Sequence, residues 1–417
     1  MNADDFHRLV KLLADSGEAS TLEEADRHFS AFGLTLDIGE NGTLDEGRQI
    51  QALTILNCAS RSFRGNVAIV GRDDIPLTVH GFAGTTLRSY LDRVAPTHPA
   101  PSPSWPTVSV NPACTDATSV IRPWAAGWTF GLGVPASNEP PTVSASVAAA
   151  GLAVSEAFSI MRGDNPYAGR RDMKLCLSET VAQLATDAAA IDERVPPLWL
   201  VGLGHLGQAY AWTIGFIPSQ NNELVLQDID ETTVSTLSTS LVSLPSDVGR
   251  PKTEVVAEWL QVRGWRVRVV NRRFDHSQRT LPEDPATALF GVDNAAARRP
   301  MEGAGFRAII DLGLGAGYQD FRGIRLRSFP GASSASEIWA SEPIPRESQA
   351  PAYEALLRSN DDACGVAMLA SRAVGAPFVG CVAAGLALAA VSLLAADAQV
   401  SSMVDLNLRD PGRLVRA

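Results

Sequence analysis

Residues Leu198–Gly207 read LWLVGLGHLG. Four apolar residues follow Pro196-Pro197 and run straight into Gly202-Leu-Gly204-His-Leu-Gly207. A short, wholly apolar run with such borders reads as a buried strand, and the residues from His205 to Phe216 open a helix. Glycines between a strand and a helix allow a tight turn. They also let a phosphate approach the backbone N–H groups at the helix N-terminus. Glycines serving the turn alone are the plainer alternative, but their place between strand and helix favours a nucleotide site. The spacing does not separate a dinucleotide from ATP.

Outward from this stretch the pattern alternates. ELVLQDID (Glu223–Asp230) is a second strand ending in acids, Lys252–Arg263 is helical, and WRVRVVNRRF (Trp265–Phe274) alternates like a strand. Ala286–Val292 and Phe306–Leu312 are two further apolar runs. Strands alternating with helices imply a parallel α/β sheet. An acid at the end of the second strand, Asp228 or Asp230, can bind ribose hydroxyls. Asp228 lies somewhat further from Gly202 than the roughly 20 residues usual in a dinucleotide fold.

Two later blocks sharpen this: Asp247-Val-Gly249-Arg-Pro251-Lys252, and Gly291-Val-Asp293-Asn294-Ala-Ala-Ala-Arg298 after a strand. The ordered set resembles the adenylation domains of ubiquitin-activating enzymes and their ThiF-type bacterial relatives. That family runs GxGxxG, strand, DxD, then D-x-G-x-x-K, strand, and D-N-x-x-x-R. The resemblance implies a Rossmann-like fold, with ATP and Mg2+ as cofactors. It implies that Gly202, Gly204 and Gly207 approach the phosphates and that Asp228, with Asp230 and Asn294 nearby, helps hold the nucleotide. Lys252 would contact phosphate as a point charge. Asp293 would be catalytic, beside the metal and the reacting α-phosphate. Such chemistry needs positioning and stabilisation of charge on phosphorus. The family's usual arginine after the DxD block is replaced by Thr239, so another arginine must substitute. Arg250 is near in sequence, and Arg48 faintly resembles the arginine that relatives supply from a partner half.

The C-terminal block, Cys364-Gly-Val followed by Val374–Gly380 and an alanine-rich helix, resembles the family segment whose cysteine takes the activated carrier as a thioester. The resemblance makes Cys364 the candidate nucleophile. Asp361 and Asp362 beside it would raise a thiol pKa and oppose activation. Cys114, in Pro112-Ala-Cys-Thr115, echoes the cysteine motif of eukaryotic relatives but lies in the other half. Cys381 reads as core. No CxxC pair occurs and the six histidines form no ligand pattern, so no structural zinc is expected. His205 reads as a variable position in the glycine loop.

In the N-terminal half, residues 1–60 read as mostly helical with a break near Gly39–Gly42, and NVAIV (Asn66–Val70) as a strand. Gly71-Arg-Asp-Asp74 stands where a glycine loop would be. Pro99–Pro106 is a loop. A small-residue helix runs from Pro140 to about Met161, and VAAAGLAVSEAFSIM (Val147–Met161) resembles VAAGLALAAVSLLA (Val382–Ala395). These features suggest a degenerate, inactive copy of the adenylation fold over residues 1–162. A linker, Gly163–Arg171, and an amphipathic helix, Asp172–Glu193, would follow within 163–195, and the active domain would span 196–417.

A net charge of −11 argues against nucleic acid as the main partner. Only Lys11, Lys174 and Lys252 are lysines among 35 basic residues, so a lysine inside a motif is less easily filler. Met1–His7 lacks the apolar core of a signal peptide. Five irregularly spaced cysteines fit a reducing cytoplasm. Ala373–Ala396 runs about 24 residues without a charge, long enough for a membrane, but its Gly/Ala content favours a helix packed inside protein. The resemblance implies ATP-dependent activation of a ubiquitin-like carrier protein, thioester formation and transfer to a ubiquitin-conjugating-type enzyme. With the arginine-rich, bacterial-style composition, it suggests a bacterial conjugation pathway with a role in antiviral defence. A homodimer is allowed; a membrane is not expected. The alternatives are an NAD(P)-dependent oxidoreductase, for which no hydride-transfer site is apparent, and a non-catalytic scaffold of the same fold.

Overall fold

Leu198–Val201 is buried at every position, as a strand covered on both faces must be. The computed structural model describes residues 7–41, 43–114, 120–184, 191–315, 317–340, 350–359, 366, 369–371 and 373–417. In chain order the first half holds α1 (Val10–Asp15), α2 (Leu22–Phe29), β1 (Leu34–Gly39), α3 (Glu46–Ser62), β2 (Val67–Gly71), α4 (Leu87–Val94), β3 (Thr107–Ser109), β4 (Val120–Ile121), β5 (Pro123–Ala126), β6 (Thr129–Leu132), α5 (Val143–Arg162), β7 (Met173–Cys176) and α6 (Leu177–Val181). The second half holds β8 (Leu198–Val201), α7 (His205–Ile214), β9 (Glu223–Gln227), α8 (Val234–Leu237), α9 (Lys252–Gln261), β10 (Arg266–Val270), β11 (Thr287–Phe290), α10 (Ala295–Arg298), β12 (Ala308–Leu314), β13 (Gly323–Phe329), α11 (Ala335–Ile338), α12 (Pro351–Ser359), α13 (Pro377–Ala395), β14 (Met403–Asn407) and β15 (Val415–Arg416).

The second half builds one sheet in the order β10-β9-β8-β11-β12-β13-β14-β15. Its first five strands are parallel and the rest antiparallel. The first half builds a parallel sheet, β2-β1-β3-β4, and a separate antiparallel one, β5-β6-β7. The two halves follow one itinerary. In each, the first strand lies between the second and a later parallel strand. An antiparallel hairpin follows, β5–β6 or β12–β13. Then comes a long apolar helix, α5 or α13, and a strand that pairs with the hairpin's second member, β7 on β6 or β14 on β13.

The two long helices pack on each other antiparallel and reciprocally. A Cβ at Gly151 of α5 would lie 2.6 Å from the Phe378 carbonyl, and one at Gly385 of α13 would lie 3.1 Å from the Ser144 carbonyl. The glycines therefore let the backbones meet. Both helices are apolar and long enough to cross a membrane, and both are largely buried inside the protein. A single apolar core joins the halves, running from Leu36, Leu53 and Phe158 to Leu200, Trp212 and Val382. Phe82 of the first half stacks on Phe216 of the second at 5.3 Å between ring centroids.

Two expectations need correction. The helical region before residue 60 is interrupted earlier than expected, because Leu34–Gly39 pairs with both β2 and β3 as a central strand. NVAIV is consequently the second strand of its sheet. The position matching the glycine loop lies between β1 and α3, not at Gly71–Asp74. Asp172–Glu193 is not one amphipathic helix. Met173–Cys176 is taken up as an edge strand by β6, and only Leu177–Val181 is helical before residues 185–190, which lie outside the described residues.

Candidate functional site

Four parallel strands, β9, β8, β11 and β12, end on the same side and open into a cavity of about 1440 Å3. The crevice beyond the carboxyl ends of such strands is where open α/β sheets bind ligands. Gly202 turns the chain out of β8 with φ +84°, in the left-handed region. Gly207 packs the first turn of α7 onto that loop, since a Cβ there would lie 2.0 Å from the Gly202 carbonyl. Gly202 and Gly204 line the cavity, whereas Gly207 sits behind them. Gly204 is the N-cap of α7; no side chain caps the helix and its first turn carries no acid. Its first N–H groups, orphaned at any helix N-terminus, thus lie at a wall of the cavity with the positive end of the helix dipole.

Asp228 ties the glycine loop to β9. One carboxylate oxygen accepts from Leu203 N at 2.6 Å, and the other from Ile229 N and Asp230 N at 2.7 and 2.8 Å. Lys252, at the start of α9, is largely buried and pairs with the exposed Asp230 at 2.9 Å. Asp293 is exposed on the turn after β11. Asn294 caps α10, accepting from Ala297 N at 2.8 Å, and its amide donates to Asp293 at 3.3 Å. All five line the cavity. Arg298, last residue of the D-N-x-x-x-R block, pairs with the buried Asp311 at 3.0 Å and donates to the Leu312 carbonyl, so it braces β12 against the turn.

Thr239 lines the same wall. Of the two arginines considered to replace it, Arg48 pairs with Asp45 on α3 and Arg250 with Asp247 and Glu258; neither reaches the cavity. Arg8, just before α1, does line it. Sequence order gave no hint of this, because Arg8 belongs to the first half and arrives only through the shared core. Arg272 and Arg273, taken only as strand residues, also lie on the wall, just beyond β10. His205 opens α7 as a half-buried wall residue. Burial and the nearby Arg8 charge push its pKa down to about 3, against a hydrogen bond that it donates to the Ala376 backbone. Its Nε2 has no hydrogen-bond partner among the described residues.

Cys364, with Asn360–Asp362, lies outside the described residues. Just after it, Ser371 and Ala373–Gly375 line the cavity, so the chain leading into α13 forms part of the wall. Cys114 is half-buried in the first half, away from the cavity. Cys381 is buried on α13, its Sγ 3.3 Å from that of Cys58. Among the described residues no three metal-binding side chains cluster. Magnesium commonly takes one or two protein carboxylates and completes its shell with water and phosphate, which the exposed Asp293 at the cavity wall would suit.

Family models match both halves. One described as the BilD N-terminal domain matches residues 33–177, and one described as the BilD C-terminal domain matches residues 196–397. The chain is 37% identical over 405 residues to the bacterial E1-like protein BilD of Collimonas sp. (strain OK412), covering 92% of this chain and 87% of that protein.

Proposed function

This chain belongs to the bacterial E1-like BilD family, and we propose that it activates a ubiquitin-like protein by ThiF-type adenylation of the carrier's C-terminus in a cleft of residues 196–417. The carrier carboxylate attacks the α-phosphorus of ATP, forming an acyl-adenylate and releasing pyrophosphate. A thiolate then attacks the acyl carbon and AMP leaves, giving a thioester that passes to a ubiquitin-conjugating-type enzyme.

The observation that carries this proposal is the N-terminus of α7, uncapped and free of acid at a cavity wall that also holds Lys252. Phosphate there would meet backbone N–H groups, a helix dipole and one ammonium. It would also compete with Asp230 for Lys252, and that pair includes a solvent-exposed partner, so exchange is cheap. Asp228 would shape the phosphate loop through Leu203 while its strand end lies beside the ribose. Asp293, with Asn294 beside it, would hold Mg2+, which when bound neutralises phosphate charge. Arg8 would supply the cation missing at Thr239. Cys364 would be the nucleophile.

In the first half, the matching helix α3 is capped by Asp45, which accepts from Arg48 N, and has Glu46 in its first turn. Two carboxylates already occupy the positive helix end, so phosphate would be repelled. This supports residues 1–162 as a nucleotide-free copy, 163–195 as the connection and 196–417 as the catalytic unit. The pathway proposed is cytoplasmic, bacterial and antiviral.

Thr239 in place of the family's arginine favours one competing reading, a scaffold that binds ATP without turnover. Pyrophosphate exchange into ATP with a ubiquitin-like protein encoded beside this gene separates the two. Exchange lost in Lys252→Ala supports the enzyme; ATP binding without exchange supports the scaffold.

A further inference from the structure

A second cavity, of about 320 Å3, lies where the end of α1, the end of α5, the turn into β13 and the end of β14 meet. It shares no residue with the large cavity. Arg322, in its wall, precedes β13, and its side chain is 4% exposed. Its Nη1 donates to the Asp164 carboxylate, at 3.1 Å to one oxygen and 3.3 Å to the other. That carboxylate is shared: Arg162 holds it at 3.1 Å while also gripping Glu18. Arg162 and Arg322 are thus matched in number by Glu18 and Asp164. Arg409 adds another cation at the rim, spending one nitrogen on the Asp164 carbonyl at 2.7 Å.

The donors left over lie on one edge of Arg322. Arg322 Nε and Nη2 are buried and without a hydrogen-bond partner. These two nitrogens form one of the flat, two-pronged edges by which a guanidinium grips an oxyanion. The Phe158 and Phe321 rings lie 5.9 and 4.9 Å from the guanidinium carbon. The aromatic neighbours favour approach in the guanidinium plane. A buried cation with two unmet donors is costly, and protein structures rarely leave that cost uncompensated.

We propose that this cavity binds a small oxyanion, a carboxylate or a phosphate, gripped in plane by Nε and Nη2 of Arg322. The site is independent of the nucleotide proposal. The full chain is titrated with benzoate and, separately, with inorganic phosphate by calorimetry, for wild type, Arg322→Gln and Arg322→Lys. Saturable binding of one anion that weakens by about tenfold or more in both variants is expected, because the lysine keeps the charge but not the fork. The anion that saturates identifies the class. Phosphate taken by the large cavity would be unchanged by either variant. A wild-type crystal soaked in 4-bromobenzoate tests the same point if the variants misfold: its carboxylate is expected on the Nε–Nη2 edge. No saturable binding of either anion, binding indifferent to Arg322, or bromobenzoate seated elsewhere would overturn the proposal.

Discussion

Lys252 and His205 show what single residues contribute. Lys252→Ala removes the ammonium facing the cavity but leaves its partner Asp230 in solvent, so folding should change by about 1 kcal/mol or less. ATP affinity measured by calorimetry should fall by about tenfold or more, as for a lost charge-assisted bond; unchanged affinity would remove Lys252 from the site. His205 predicts a pH effect of definite sign. Its folded pKa, about 3, lies below the value near 6.5 of an unfolded chain. The unfolded state therefore binds the proton first, and stability falls as pH drops from about 6.5 toward 3. His7, pushed down to about 4 by burial, works in the same direction. His205→Gln should flatten the loss of melting temperature over that range, and a steeper loss would contradict the assignment. Cys364→Ala should abolish the thiol-sensitive carrier adduct on a non-reducing gel while sparing pyrophosphate exchange. An adduct that persists there and vanishes in Cys114→Ala would transfer the role to Cys114. The cavity residues that could be read from sequence sit within short blocks, Gly202–Gly204, Asp228–Asp230, Lys252 and Asp293-Asn294. Arg8 could not, since it belongs to the first half and meets the chain leading into α13 only in the fold, its Cδ 3.7 Å from where a Cβ on Gly375 would lie.

Elements were legible where their pattern was long or strongly bounded. β8, α7, β9 and α13 each show this, from the glycine turn to the charge-free run. β1 was missed because Leu34–Gly39 is short and sits between two helices, so its alternation was absorbed into them. β7 was missed because an edge strand of four residues, MKLC, carries only two apolar residues on its inner face, too short an alternation to read. The α5–α13 crossing makes a prediction at this scale. In an isolated helix, Gly→Ala stabilises by about 1 kcal/mol. At Gly151 the new Cβ would lie 2.6 Å from a carbonyl oxygen, too close to stand, and at Gly385 it would lie 3.1 Å from one. Gly151→Ala should therefore lower the melting temperature, by an overpacking cost of about 1–3 kcal/mol, and Gly385→Ala should lower it less. A rise for Gly151→Ala would mean that the helices do not meet as described.

At the scale of the whole molecule, two halves with one itinerary share one core and differ at their matching helix ends. The repeat could be suspected from the two alanine-rich helices, but its correct register could not, because matching NVAIV to β8 required not knowing about β1. Its physical sense lies at two helix ends. α7 leaves its positive end bare, and α3 fills its own with Asp45 and Glu46. Because Trp212, Phe216 and Phe82 pack across the boundary, residues 1–195 and 196–417 produced separately should be poorly soluble, and co-expression should restore folded protein. Two well-folded, independent fragments would contradict a common core. The central claim is a single nucleotide site, in the second half, built for ATP. Calorimetry of the intact chain with ATP·Mg2+ and with NAD+ tests it most directly. The account predicts one ATP per chain, lost in Lys252→Ala, and no saturable NAD+ binding; tight NAD+ binding without ATP binding, or two ATP per chain, would contradict it.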